Sequence, residues 1–172
     1  ELSDHSGVPL VFDAVESVHE TFRGKRIGSF GVGEVFSLHA SKLLNGMEGG
    51  YVCTDDDEFN ENLQKYRDGK WSEPNINGAS FGGLRSKLNG VHALLALESL
   101  NEIGLNVQHN ENVYKQYQLE LADISGVRLL EFCETEQASY KNIVIEVLDN
   151  YPITRDELVD ALNDKRILAR SH

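Results

Sequence analysis

Apolar residues occur in short runs along the first third of the chain. Three largely apolar runs lie at residues 8–12, 34–38 and 51–54. Short runs of this kind are typical of strands that are buried on both faces, as in a parallel sheet covered by helices. Glycines at residues 28–33 and 49–50 separate the runs. The pattern therefore predicts an α/β fold built on a sheet.

The pattern becomes mainly helical further along the chain. Acidic residues at 55–58 favour a helix start, and we predict a helix from there to about Arg67. Helical apolar spacing predicts two more helices, over residues 89–103 and 111–122. Strands are predicted at residues 127–130 and 142–147, and Thr154 with Glu157 forms the capping-box pattern of a helix over 154–163. We expect residues 1–102 to be part of a large mixed-sheet domain and residues 103–172 to be part of a small C-terminal α+β domain.

Two stretches stand outside this alternation of strands and helices. Residues 68–83 are polar and rich in Gly, Asn and Ser, which predicts a long loop of the kind that often has a functional role. Residues 1–6 have the pattern of the end of a helix that stops at Gly7, and an apolar strand follows at once. We therefore expect the chain to be part of a longer protein.

Composition and charge argue against several kinds of binding partner. The 172 residues are 40% hydrophobic, which suits a packed core, and their formal net charge is −12. This charge argues against nucleic acid and anionic lipid as partners, and no apolar run is long enough to span a bilayer. Cys53 and Cys133 lie far apart, which favours buried thiols in a reducing cytoplasm over a disulfide. The acidic run at 55–58 favours a solvated helix start, and no metal site is expected.

Candidate chemistry lies next to the predicted strands. Asp13 ends the first strand and Lys42 follows the second, so both are expected at the carboxyl edge of the sheet, where open α/β sheets bind ligands. A lysine amine can hold a carbonyl cofactor, a carboxylate can hold a protonated ring nitrogen, and the Ser37 hydroxyl can donate to a phosphate. Each residue also has a plainer interpretation, since lysines are commonly solvated and aspartates commonly form turns.

Four segments occur in a specific order between residues 12 and 50. They are Phe12-Asp13-Ala14, Gly28-Ser29-Phe30-Gly31, Val35-Phe36-Ser37-Leu38-His39-Ala40-Ser41-Lys42 and Glu48-Gly49-Gly50. The order resembles that of the DegT-type sugar aminotransferases, whose pattern is Asp-Ala-Ala, Gly-Ser-Phe-Gly, Ser-Phe-His-Ala-Thr-Lys and Glu-Gly-Gly. Residues 83–93 resemble a later segment of the same family, and the resemblance covers nearly the whole chain.

The resemblance implies a fold-type-I enzyme that depends on pyridoxal 5'-phosphate. Lys42 would hold the cofactor and act as general acid and base, Asp13 would pair with the pyridine nitrogen, and Ser37 would bind the phosphate. The implied reaction is transamination of a nucleotide-linked keto sugar by an amino donor such as glutamate. A cytoplasmic homodimer is implied as well.

Two cofactor-binding candidates depart from the family pattern. Glu16 stands where the family usually has Gln or His near the cofactor ring, and Arg85 stands where it has an Asn that reaches the partner subunit's phosphate. These departures leave open a degenerate, non-catalytic paralogue with a structural or regulatory role. A sugar dehydratase of the same fold is disfavoured, because those relatives have His in place of the lysine.

Overall fold

The computed structural model describes residues 2–69 and 84–171. Its helices and strands are α1 (Leu2–Ser6), β1 (Val11–Asp13), β2 (Thr21–Phe22), β3 (Lys25–Arg26), β4 (Gly33–Ser37), β5 (Gly50–Cys53), α2 (Asp57–Arg67), α3 (Gly90–Leu121), β6 (Val127–Leu129), β7 (Ile145–Val147) and α4 (Arg155–Asp164). The chain forms two compact units, one of Glu1–Asn106 with Cys133–Ser139 and the other of Val107–Phe132 with Tyr140–His172. The domain boundary expected at residue 102 stays a prediction about the whole protein.

A three-stranded mixed sheet organises the first unit. Its strand order is β1-β4-β5, with β1 parallel to β4 and β5 antiparallel to β4. In this register Asp13 lies beside Val35, and Ser37 lies beside Gly50. Strands β4 and β5 lie within one residue of the predicted runs, and β1 begins three residues later than predicted, so the mixed α/β sheet is confirmed.

The core of this unit lies against β4. Ala14, Val18, Phe36, Leu38 and Leu44 are buried together. Ala14 and Val18 follow β1, and Leu38 and Leu44 follow β4, so the two segments that leave the sheet are held by the same core. Phe36 also stacks on Tyr51 of β5 with ring centroids 4.8 Å apart, and burial raises the pKa of Tyr51 to about 12.

The burial expected for β1 is not found in this chain. Val11 is 44% exposed and Phe12 is 39% exposed, whereas the sequence predicts a strand covered on both faces. The reason is that β1 has only one neighbour, β4, among the described strands. The prediction that β1 is buried on both faces is therefore wrong for this chain on its own.

A small hairpin that the sequence analysis did not predict connects β1 to β4. Strands β2 and β3 pair antiparallel, and the turn between them uses Arg23 and Gly24 at φ 53° and 72°. The Glu136 carboxylate accepts hydrogen bonds from the Thr21 hydroxyl at 2.6 Å and from the Gly24 amide at 3.0 Å. These bonds lower the pKa of Glu136 and fix the distant segment Cys133–Ser139 to the hairpin.

One long helix replaces the two that the sequence predicts between residues 89 and 122. Helix α3 runs without a break for 32 residues. The helix continues through the polar stretch between the two predicted segments, because neither a proline nor a positive-φ residue interrupts it there. No described helix is long and apolar enough to cross a membrane.

The second unit combines the later part of α3 with β6, β7 and α4. Strands β6 and β7 pair antiparallel, and Tyr114 of α3 is buried against Phe132 and Tyr140 at ring centroid distances of 5.1 and 5.3 Å. Thr154 caps α4 in a capping box with Glu157, as the sequence predicts. This unit is the small α+β part of the fold.

Candidate active site

Lys42 lies in a loop that folds back on itself after β4. The Leu38 amide donates to the Gly49 carbonyl at 2.9 Å, and the Ala40 amide donates to the Met47 carbonyl at 2.8 Å. The Lys42 amide closes a turn by donating to the His39 carbonyl at 2.9 Å. The Glu48-Gly49-Gly50 motif is thus the other half of the loop that holds the lysine.

Helix α3 fixes this lysine loop from outside. The Glu48 amide donates to Nδ1 of His92 at 3.1 Å, and the Asn45 amide donates to the Ser99 hydroxyl at 3.1 Å. Gly46 lies so close to the helix that an added Cβ would stand 2.5 Å from the His92 carbonyl oxygen. His92 and Ser99 therefore help to position Lys42 without belonging to the reactive group themselves.

Asp13 and Glu16 lie at the carboxyl end of β1. Asp13 Oδ1 accepts a hydrogen bond from the Val15 amide at 3.2 Å, which begins a turn directly after the strand. The Ser17 amide continues the turn by donating to the Ala14 carbonyl at 3.0 Å. Ala14 is buried in the core, while Asp13 and Glu16 remain exposed.

The structure joins Lys42 and Glu16 directly. The Lys42 ammonium donates to Oε1 of Glu16 and forms an ion pair with it. The side chain of Lys42 is only 15% exposed, whereas that of Glu16 is 47% exposed. The Lys42 side chain therefore lies mostly inside the protein, and the Glu16 carboxylate contacts its ammonium from the solvent side.

Ser37 is the last residue of β4 and lies half-buried at the same end of the sheet. Its hydroxyl oxygen accepts a hydrogen bond from the His39 amide at 3.2 Å. The His39 ring in turn contacts the Ser41 hydroxyl at 2.9 Å through Nδ1. The hydroxyl of Ser37 is thus oriented by the lysine loop.

Arg85 lies on a different part of the described chain. It forms an antiparallel bridge with Asp68 and is exposed. The structure groups Lys42 with Glu16 and places Asp13 and Ser37 on adjacent strands, but Arg85 is paired with the end of α2 instead. The segment 70–83, where a functional loop is expected, lies outside the described residues.

A buried carboxylate that was not predicted as a site residue lies near the start of β4, the strand that leads to Lys42. Glu34 is only 2% exposed, and its carboxylate accepts hydrogen bonds from the Gly28 amide and from the Phe30 amide at 2.8 Å. Burial, followed by the charges of Glu34 and Asp55, raises the pKa of the Cys53 thiol. A charged residue inside an apolar strand, just after a glycine turn, was the signal that could have identified Glu34.

The side chains at this sheet edge fit pyridoxal phosphate. The parallel pair β1 and β4 brings a carboxylate, a hydroxyl and a loop-held amine to the same edge. An amine suits the aldehyde of the cofactor, a carboxylate suits its ring nitrogen, and a hydroxyl suits its phosphate. The described residues hold no group of His, Cys, Asp and Glu that could bind a metal ion.

Comparison with known proteins finds relatives that are named for sugar nucleotides. The chain is 29% identical over 139 residues to the dTDP-4-amino-4,6-dideoxy-D-glucose transaminase of Shigella dysenteriae, which covers 80% of this chain and 37% of that protein. It is 24% identical over 172 residues to the GDP-perosamine synthase of Caulobacter vibrioides, covering 99% of this chain and 46% of that protein. The chain thus spans less than half the length of these relatives.

A solved structure has the same fold. The structure of DesI in the presence of its TDP-sugar product superimposes with a TM-score of 0.89 and 28% identity, over 98% of this chain and 43% of that chain. The profile of the DegT/DnrJ/EryC1/StrS aminotransferases matches all of residues 1–172. The chain therefore belongs to the DegT/DnrJ/EryC1/StrS aminotransferase family.

Proposed function

We propose that the whole protein is a pyridoxal-phosphate-dependent aminotransferase that transfers an amino group from a donor such as glutamate to a nucleotide-linked keto sugar. The family supports the reaction type, and the Shigella and Caulobacter relatives are named for sugar nucleotides. The single observation that carries the proposal is the Lys42 loop, which presents a largely buried amine at the carboxyl edge of the sheet, beside the strand of Asp13.

Each of the three residues at the carboxyl edge of the sheet would have its own role in this reaction. When bound, the cofactor supplies an electron sink that makes a proton on the adjacent carbon acidic. The Lys42 amine would hold the cofactor and afterwards move that proton, and Asp13 would accept a hydrogen bond from the protonated ring nitrogen. The Ser37 hydroxyl would donate to the phosphate. The hydrogen bonds of the loop fix the backbone from which Lys42 presents its amine as a general acid and base.

The remaining site and assembly features are also part of the proposal. Arg85 binds the cofactor phosphate of a partner subunit in a homodimer, because a guanidinium is a strong phosphate donor. The protein acts in the cytoplasm, where its two thiols stay reduced. Cys53 is half-buried and Cys133 is exposed, so the expectation that both thiols are buried is wrong.

The test is to locate the cofactor chemically. The whole protein is incubated with pyridoxal phosphate, reduced with borohydride and mapped by peptide mass spectrometry, and the label is expected on Lys42. Lys65 is a matched control lysine, because it lies in an exposed pair with Glu61 on α2. A label on Lys65, or on any lysine other than Lys42, would exclude the proposed site.

Activity measurements then separate the enzyme from a non-catalytic paralogue. Asp13→Asn is expected to lower turnover with glutamate and nucleotide keto sugars at least about a hundredfold, because the ring nitrogen loses its charged partner. The variant should melt near the wild-type temperature, since Asp13 is exposed. A labelled Lys42 without turnover on any sugar nucleotide would favour a regulatory or structural role, for which the Glu16 pairing is the supporting observation.

A further inference from the structure

We propose that His92 is a positioning residue for catalysis, because a hydrogen bond from its ring holds the turn at residues 47–49 and, through that turn, the loop that presents Lys42. The importance of this role rests on the proposed function, in which the Lys42 amine moves a proton. His92 contacts the backbone of Glu48 through its ring nitrogen Nδ1. It would act on the reaction through the loop alone.

The turn at residues 47–49 has a backbone conformation that needs support from outside. Met47 has a φ of 71° and Gly49 has a φ of 128°. The left-handed region is costly for a residue that has a side chain, so Met47 remains there only if its surroundings hold it. Glu48 lies between the two residues. A contact with the Glu48 backbone is therefore well placed to hold the turn in this conformation.

The His92 ring makes this contact. Nδ1 lies 3.1 Å from the Glu48 amide nitrogen and 3.1 Å from the Glu48 carbonyl oxygen. It can accept from the amide or donate to the carbonyl, so it can bond to the Glu48 backbone in either tautomer. The helix that carries His92 has a fixed start, because the Asn89 side chain accepts from the Val91 amide at 2.8 Å. The contact thus joins the turn to a rigid element.

Two carbonyl groups of the turn extend the effect to the lysine loop. The Met47 carbonyl accepts from the Ala40 amide at 2.8 Å, and the Gly49 carbonyl accepts from the Leu38 amide at 2.9 Å. Lys42 follows Ala40 by two residues. A change of backbone conformation at Met47 or Gly49 would turn these carbonyls away and release the loop. The position of the Lys42 backbone therefore depends on the shape of the turn.

Packing is the other way in which α3 could hold the loop. An added Cβ at Gly46 would stand 2.5 Å from the His92 carbonyl oxygen, so the backbone of the helix also lies close to the loop. Two substitutions separate the contributions. His92→Phe keeps an aromatic ring but has no ring nitrogen, whereas His92→Asn loses the ring but keeps polar atoms bonded to Cγ, as Nδ1 is. If the hydrogen bond matters, His92→Asn preserves the loop and His92→Phe does not; packing alone would give the reverse.

The first measurement is hydrogen exchange of the whole protein without cofactor, followed by mass spectrometry of peptides that contain Leu38 and Ala40. These amides should exchange about fivefold faster in His92→Phe, because one hydrogen bond of ordinary net strength changes a local opening equilibrium by that factor. His92→Asn should stay near the wild-type rate. His109→Phe makes the same change at an exposed position of α3 and serves as the matched control, with no effect expected on the loop.

The second measurement is turnover per molecule of cofactor on Lys42, with the loaded fraction determined from the borohydride label. In His92→Phe kcat should fall at least about tenfold, because proton transfer depends steeply on the position of the amine, whereas KM for the sugar nucleotide should change less than about twofold. His92→Asn should recover most of the lost kcat. Counting only loaded molecules separates this effect from a loss of folded protein.

Several outcomes would overturn the role of His92. They are unchanged exchange of the loop peptides in His92→Phe, equally fast exchange in His92→Asn and His92→Phe, and faster exchange with unchanged turnover per loaded Lys42. If His92→Phe does not fold, His92→Ala replaces it with the same expectations, because a helix accepts alanine readily. If borohydride places the cofactor on another lysine, the proposed function fails, but the exchange rates still report on the bond between His92 and the turn.

Discussion

Glu34 is the clearest case of a single residue that organises its surroundings. A buried carboxylate is costly unless hydrogen bonds compensate for the lost water. Here the amides of Gly28 and Phe30 both donate to it, so the glycine turn before β4 is tied to the strand that leads to Lys42. The geometry of that turn thus depends on a side chain rather than on glycine alone.

Replacing Glu34 should therefore destabilise the protein. Glu34→Ala leaves two amides without their acceptor, and we expect the free energy of unfolding to fall by about 1–3 kcal/mol. Urea denaturation of the whole protein measures this change. Glu61→Gln, on the exposed face of α2, serves as the control and should change the midpoint little. Equal midpoints for Glu34→Ala and the control would contradict the assigned role.

The two thiols should differ in reactivity. Burial, together with the charges of Glu34 and Asp55, raises the pKa of Cys53, whereas hydrogen bonds with Thr135 lower the pKa of the exposed Cys133. A lower thiol pKa gives more thiolate, so as the pH is raised Cys133 should begin to react with iodoacetamide at a lower pH than Cys53.

Mass spectrometry of native protein near pH 7.5 can follow both alkylation reactions at once. In urea the two rates should converge, because burial, neighbouring charges and the Thr135 hydrogen bonds are all lost. Faster alkylation of Cys53 than of Cys133 in the native protein would show that the surroundings of the two thiols are assigned incorrectly.

At the scale of elements, α3 links the lysine loop to the rest of the fold. The loop approaches the helix at Gly46, where an added Cβ would stand 2.5 Å from the His92 carbonyl oxygen and 3.2 Å from Ala96. More than two turns beyond Ala96, Gly104 of α3 itself has nothing within 4 Å of the position that a Cβ would take. Gly46 of the loop is therefore needed for close packing, whereas Gly104 of the helix is not.

Alanine substitutions at these glycines should have opposite effects on stability. Gly104→Ala is expected to stabilise the protein by about 0.5–1 kcal/mol, because glycine in a helix interior loses more backbone entropy than alanine. Gly46→Ala is expected to destabilise it, because the helix backbone cannot move aside easily. Thermal denaturation measures both. Gly46→Ala should also lower incorporation of the cofactor at Lys42, whereas Gly104→Ala should not, and the reverse order would refute this account.

The sequence predicted the helices with clear start signals well, but it divided the long helix α3 in two and missed the shortest strands. Helix α2 and the capped helix α4 carry strong local signals, such as acidic residues in the first turn and the Thr154 box, and both were found where expected. The two-residue strands β2 and β3 are too short to show any periodicity, and their hairpin is held partly by Glu136, which lies 115 positions after Thr21 in the chain. A contact between residues so far apart in the chain cannot be recognised from the local pattern of apolar and polar residues.

In the candidate site, too, some features could be predicted from the sequence and others could not. Asp13 and Ser37 could be expected at one sheet edge, because topology alone brings the ends of parallel strands together. The contact between Lys42 and Glu16 depends on the course of two turns, which side-chain patterns do not specify. For Arg85, the structure gives a bridge to Asp68, and its role toward a partner subunit stays a prediction.

At the scale of the whole molecule, this chain leaves much apolar surface uncovered. Among the described residues, large apolar side chains are exposed on two elements, β1 and the first half of α3. They are Val11, Phe12, Val91, Leu94, Leu97, Leu100 and Leu105, which are 39–70% exposed. Large exposed apolar side chains on the same element are typical of a surface that another part of a protein covers.

Residues 1–172 prepared alone should therefore associate and fail to catalyse transamination. The open edge of β1 and the exposed apolar side chains of α3 would be covered by other copies, so the weight-average mass in sedimentation should rise above 19.2 kDa with concentration. A hydrophobic dye should fluoresce more strongly per chain than with the whole protein. With pyridoxal phosphate, glutamate and nucleotide keto sugars, no turnover is expected, because water would reach the exposed Asp13 and Glu16 and the site would not be enclosed. A monodisperse 19.2 kDa species with turnover comparable to that of the whole protein would show that these 172 residues build the complete site themselves.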